Sequence, residues 1–81
     1  MSVADIVLKE LEKLTGTDQV RSDLNLDLFG ERVLDSFAAI ELVVALAENF
    51  GVELTPGEIE REAWATPQMI IDDITRRLER K

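Results

Sequence analysis

The sequence predicts an all-α fold: a small bundle of three longer helices and one short helix, in a single domain spanning residues 1–81. Three observations carry this expectation. Apolar residues recur at spacings of three and four in three separate stretches, as in helices that bury one face. Each stretch opens with a residue suited to a helix start, and the first two close at a glycine. The one alternating stretch, Leu24, Leu26 and Leu28, has no evident partner strand. Apolar residues make up 46% of the chain, enough for one core, and the absence of cysteine leaves helix packing to stabilise it.

Ser2, with Asp5 three residues later, reads as a capping-box start for the first helix. Val3, Ile6, Val7, Leu11 and Leu14 then share a face, Asp5 and Lys9 are spaced to pair on the wet side, and Gly16 suits the C-terminal cap. Residues 16–34 read as an ordered loop pinned to the helices by Leu24, Leu26, Leu28 and Phe29. Asp23, Asn25 and Asp27 imitate the first ligands of a calcium-binding loop. Leu28 and Leu34, however, replace its glycine and its closing glutamate, so no calcium site is expected.

The second helix is expected from Ser36 to Phe50, ended by Gly51. Val43, Leu46, Ala47 and Phe50 centre its buried face, flanked by Leu42 and Ile40. Phe37 and Val44 drift from that centre and fall beside Glu41 and Glu48. Either they form a docking face or the loop 16–34 covers them. Thr55-Pro56-Gly57-Glu58 forms another capping box, opening a short third helix over about 56–62 with Ile59 as its anchor. Trp64 follows, either plugging the core, the preferred reading, or facing a partner. Thr66-Pro67 starts the last helix, with Met69, Ile70, Ile71, Ile74 and Leu78 as its apolar stripe. Arg76, Arg77, Arg80 and Lys81 suit the negative end of its dipole.

Composition then narrows function. The chain has no histidine and no cysteine, which removes the common general base, the thiol nucleophile and the usual zinc ligands, so it is not expected to be an enzyme. Residues 16–62 hold eleven acidic and three basic residues, which accounts for the whole net charge of −8. Such a field disfavours nucleic acid and anionic lipid, and speeds encounter with basic proteins. No apolar run approaches the roughly 20 residues of a membrane span and no signal peptide opens the chain, so a cytoplasmic protein is expected.

Ser36 stands at the head of the second helix with Asp35 before it. As a structural residue it is a favoured cap, although Ala39 occupies the capping-box position and Asp35 could cap instead. As a nucleophile it lacks a base and a G-x-S-x-G elbow. A third role is modification by another enzyme, since a phosphate ester there meets the positive end of the helix dipole and backbone N–H groups.

Leu34-Asp35-Ser36-Phe37, at the head of an acidic helix in a short acidic chain, resembles the acyl and peptidyl carrier proteins. In that family, an acyl-carrier-type helical bundle, a serine in an Asp-Ser motif bears 4′-phosphopantetheine taken from coenzyme A. The resemblance implies that Ser36 is the attachment site and that Asp35 helps to dock a phosphopantetheinyl transferase and its magnesium. It further implies that Phe37, Ile40 and Val44 give apolar partner contacts, and that Glu41 and Glu48 meet partner arginines or lysines. Trp64 joins these as a candidate partner contact. Leu14-Thr15-Gly16-Thr17-Asp18, Leu24-Asn25-Leu26-Asp27-Leu28-Phe29 and Arg61-Glu62-Ala63-Trp64-Ala65-Thr66-Pro67 with Ile70-Ile71 are similar to the D-alanyl branch of that family. That likeness implies a monomeric carrier of D-alanine thioester, a cosubstrate charged by an adenylating ligase. A membrane-bound O-acyltransferase would be served in turn, for D-alanylation of teichoic acid in the Gram-positive wall. Two alternatives stay open: a stand-alone carrier of nonribosomal peptide or polyketide synthesis, and a non-covalent acidic adaptor in which Ser36 is only a cap.

Overall fold

A computed structural model describes residues 2–54 and 64–79. Among the described residues all regular structure is helical: α1 (Val3–Thr15), α2 (Gln19–Ser22), α3 (Ser36–Phe50) and α4 (Pro67–Glu79). The short helix expected over 56–62, with Ile59, lies outside the described residues, as do Arg80 and Lys81. α1 is the central element, packed against both α3 and α4.

The bounds of α1 follow from its caps. The Ser2 side chain accepts the Asp5 amide at 3.2 Å, and Gly16 closes the helix at a φ of 72°, where a side chain would be strained. Val7, Leu8 and Leu11 are buried. Leu8 thus takes a core place that the spacing gave to Ile6, which is half-buried. The expected Asp5–Lys9 pair does not form; Glu10 pairs with Lys13 instead, and Glu12 with Arg21.

The connection from α1 to α3 is ordered, as expected, but it contains a helical turn that the sequence did not announce. α2 is held by Val20, which is fully buried, and by the Arg21–Glu12 contact back to α1. Leu28 and Leu34 are buried, while Leu24, Leu26 and Phe29 are partly so, and together they join one core cluster with Leu42, Val43, Leu46, Trp64, Ile70 and Ile74. Burying each such leucine or isoleucine contributes on the order of 2 kcal/mol, set against the ordering of the loop itself.

α4 begins as predicted, with the Thr66 hydroxyl accepting the Met69 amide at 3.2 Å and Pro67 in the first helical position. Its buried face is Pro67, Ile70, Ile71 and Ile74. Met69 is not part of it, at 38% exposed. At about 100° per residue it lies nearly opposite Pro67 and Ile74.

Candidate functional site

Asp35 and Ser36 sit where the loop hands over to α3. Leu34 is buried and anchors the loop end; Asp35 follows with extended backbone, at φ −104° and ψ 176°. Its carboxylate oxygen Oδ1 accepts the Ala38 amide at 2.7 Å, and its carbonyl accepts the Ala39 amide at 2.9 Å. Asp35 is therefore the helix cap, worth about 1 kcal/mol by comparison with other such caps. Ser36 is the first helical residue, so capping does not account for a serine there. The amides of Ser36 and Phe37 belong to the donors that every helix start leaves without an intrahelical acceptor, at the positive end of the dipole.

The remaining α3 candidates form one exposed stripe. Phe37 is 74% exposed, Ile40 49% and Val44 48%, and Glu41 and Glu48 are exposed beside them. At about 100° per residue these five positions fall within roughly 100° of the helix circumference, so they share a face that starts next to Ser36. The loop 16–34 does not cover Phe37 and Val44. The placement of Ile40 beside the buried face is corrected: Leu42, Val43 and Leu46 are the buried α3 residues, a centre rotated toward Leu42 and away from Ile40. Ala47 and Phe50 pack only partly against that core.

Trp64 does not belong to this surface. It is 1% exposed, and its indole Nε1 donates to Asp73 Oδ2 at 2.9 Å. Its candidacy as a partner contact is thus corrected in favour of the core, because both the ring and its polar edge are satisfied inside the protein. Asp73, which sequence reasoning passed over, also accepts from Arg77 Nε at 3.0 Å and from Arg76 at 3.3 Å. The three- and four-residue spacing to two arginines was the available signal.

The calcium-like stretch has other employment. Asp23 Oδ1 accepts the Asn25 amide at 3.0 Å and Asp27 Oδ1 accepts the Gly30 amide at 2.9 Å, both ordinary turn-forming bonds. A Cβ at position 30 would meet the Asp27 carboxylate, so a larger residue there would have to displace the side chain that makes this turn. Among the described residues no group of three or more acidic side chains is arranged to hold a metal ion, and no helix is long and apolar enough to cross a membrane.

Comparison with known proteins places this geometry in context. Residues 5–74 match the family described as "Phosphopantetheine attachment site". The chain is similar to the D-alanyl carrier protein of Enterococcus faecalis, 36% identical over 74 residues that cover 91% of this chain and 95% of the relative. The D-alanyl carrier protein of Listeria monocytogenes is 38% identical over the same shares. That of Lactococcus lactis is 47% identical over 60 residues, 74% of this chain and 76% of the relative.

Proposed function

Because the chain belongs to the phosphopantetheine attachment-site family of carrier proteins, we propose that residues 1–81 act as one carrier domain, that Ser36 bears the 4′-phosphopantetheine arm, and that D-alanine is its cargo. The observation that carries the reading is the division of labour at the head of α3: Asp35 caps the helix, which leaves the next residue free for another role.

The residues present suit the group. A phosphodiester on Ser36 lies at the positive end of α3, next to orphan backbone donors. The neighbouring Asp35 carboxylate is already engaged with the Ala38 amide, which lessens its repulsion of a second anion. The arm supplies the thiol that a chain without cysteine lacks and holds the aminoacyl group as a thioester. The chain itself contributes an address: a serine at the head of α3 beside a recognisable surface.

That surface is the α3 stripe. Phe37, Ile40 and Val44 offer apolar area, and Glu41 and Glu48 give it a negative rim, so its partners present basic side chains around an apolar contact. Those partners are the phosphopantetheinyl transferase, a D-alanine-activating ligase and a membrane-bound O-acyltransferase that receives the cargo for teichoic acid. Arm attachment draws on coenzyme A and charging on ATP, which supports a place in the cytoplasm for the carrier, read as a monomer. With Glu41→Gln and Glu48→Gln combined, kcat/KM for ligase charging falls about tenfold at low salt, mainly through KM, and the gap narrows as salt rises. An unchanged value at low salt would remove these carboxylates from the interface.

The test of cargo is direct. Holo chain incubated with a D-alanine-activating ligase, ATP and D-alanine gains one alanyl group by intact mass, and hydroxylamine removes it. Failure with D-alanine, together with loading of another amino or acyl group by its own activating enzyme, would move the chain to biosynthesis of a different product.

A further inference from the structure

One residue joins two distant parts of the chain. The Leu28 amide donates to the Ala65 carbonyl at 2.8 Å, and the Leu28 carbonyl accepts the Leu34 amide at 2.9 Å. Leu34 stands two residues before Ser36. Leu28 therefore links the turn ahead of α4 to the approach to α3. A second bond, from the Gln68 amide to the Leu24 carbonyl at 3.0 Å, ties the same two segments together.

The turn that supplies Ala65 is fixed from within. Trp64 is buried and its Nε1 is held by Asp73 Oδ2 at 2.9 Å. The Asp73 side chain is only 15% exposed, and Arg76 and Arg77 hold it in turn from later in α4. The loop, by contrast, has little regular structure of its own between Asp23 and Asp35, and it contains a non-glycine residue in the left-handed region, Arg32 at φ 57°. A residue keeps such a conformation only where its surroundings impose it. The Arg32 amide donates to the Phe29 carbonyl at 3.1 Å, and the segment is bracketed by Leu28 and Leu34, both buried and both in the bonded chain that leads back to Ala65.

We propose that Trp64 and Asp73 are positioning residues for Ser36: their hydrogen bond fixes the 64–66 turn, the turn fixes Leu28, and Leu28 fixes the approach to the modified serine. This rests on Ser36 being the attachment point. Once the indole N–H is lost, Ala65 and Leu28 loosen together, and Arg32 is free to leave its left-handed conformation. The resting shape of the loop then changes, as well as its rate of opening. The docking stripe on α3 is untouched, so recognition by the transferase survives while presentation of the serine suffers.

The experiment compares wild type, Trp64→Phe, Asp73→Leu and Asp73→Asn in the full chain. Trp64→Phe keeps an aromatic plug and removes the donor, and Asp73 retains its two arginines. Asp73→Asn keeps a carbonyl oxygen for the indole. Native-state amide hydrogen exchange is read at Leu28, Leu34 and Gln68, with Leu11 and Leu46 as references inside α1 and α3. In Trp64→Phe the Leu28, Leu34 and Gln68 amides exchange roughly tenfold faster relative to the references, the scale of one lost hydrogen bond to a charged acceptor. Asp73→Leu behaves alike, and Asp73→Asn recovers most of the protection. In parallel, kcat for arm attachment falls in Trp64→Phe with KM little changed, and Asp73→Asn restores it. Equal acceleration at all five amides would reduce the contact to general stability and overturn the proposal, as would selective acceleration with unchanged attachment kinetics. The exchange measurement needs no transferase, so its failure refutes the coupling itself, whereas a wild-type chain that gains no arm refutes the reading of Ser36. Should Asp73→Leu not fold, Trp64→Phe and Asp73→Asn decide.

Discussion

A Ser36→Ala chain incubated with coenzyme A and a phosphopantetheinyl transferase keeps its mass, while the wild type gains one arm. In the wild type the serine oxygen forms the new phosphoester bond and gives up its proton, and the nucleotide part of coenzyme A leaves. Alanine has no oxygen to offer. The loss is expected without unfolding, because Asp35 and not Ser36 caps α3. Alanine is a good helix former at the first helical position, so the unfolding free energy should move by no more than about 0.5 kcal/mol. A cap residue lost to alanine would instead cost about 1 kcal/mol, and that cost belongs to Asp35→Ala. Equilibrium denaturation alongside intact mass separates the two roles. A Ser36→Ala chain that still gains the arm would refute the assignment, and one that is destabilised by 1 kcal/mol or more would return Ser36 to a structural part.

The legible parts of this fold were those with strong local signals. Ser2 and Gly16 bound α1, and Ser36 to Phe50 with Gly51 bound α3, because capping chemistry is written in single residues. The Asp35-Ser36 pair could be singled out for the same reason, although sequence alone left open which of the two was the cap. Burial was read less well where it depends on which neighbours arrive. Ile40 and Leu42 are both apolar and both lie off the centre first assigned to α3, and only the packing of α1 and of the loop leucines decided that Leu42 goes inside. Met69 was misplaced by its apolarity, although its angular position on α4 argued against it. α2 is too short for any periodicity to register, and its anchor is the single buried Val20. The Leu28–Ala65 bond joins residues far apart in sequence through backbone atoms, which no side-chain pattern encodes.

Trp64→Ala is expected to be the most damaging single substitution to stability among the described residues. Removing a fully buried tryptophan typically costs about 3–5 kcal/mol, through lost burial and the cavity left behind. A domain of this size is stable by only about 5–10 kcal/mol, so the urea midpoint should fall by roughly half or cooperative unfolding should disappear. The contrast is Phe37→Ala. Its ring is 74% exposed, and its removal should shift stability by no more than about 0.5 kcal/mol while weakening charging by the ligase. The pair of variants tests the places that the structure gives to two aromatic residues, Trp64 in the core and Phe37 on the surface. Stability that survives Trp64→Ala would remove Trp64 from the core. Because Trp64 is the chain's single tryptophan, its own fluorescence reports the wild-type transition, and circular dichroism follows both variants on one scale. Loss of the fold in Trp64→Ala also removes the Ala65 support for Leu28, so charging fails there for a reason that Phe37→Ala does not share: the first loses the address, the second only a contact beside it.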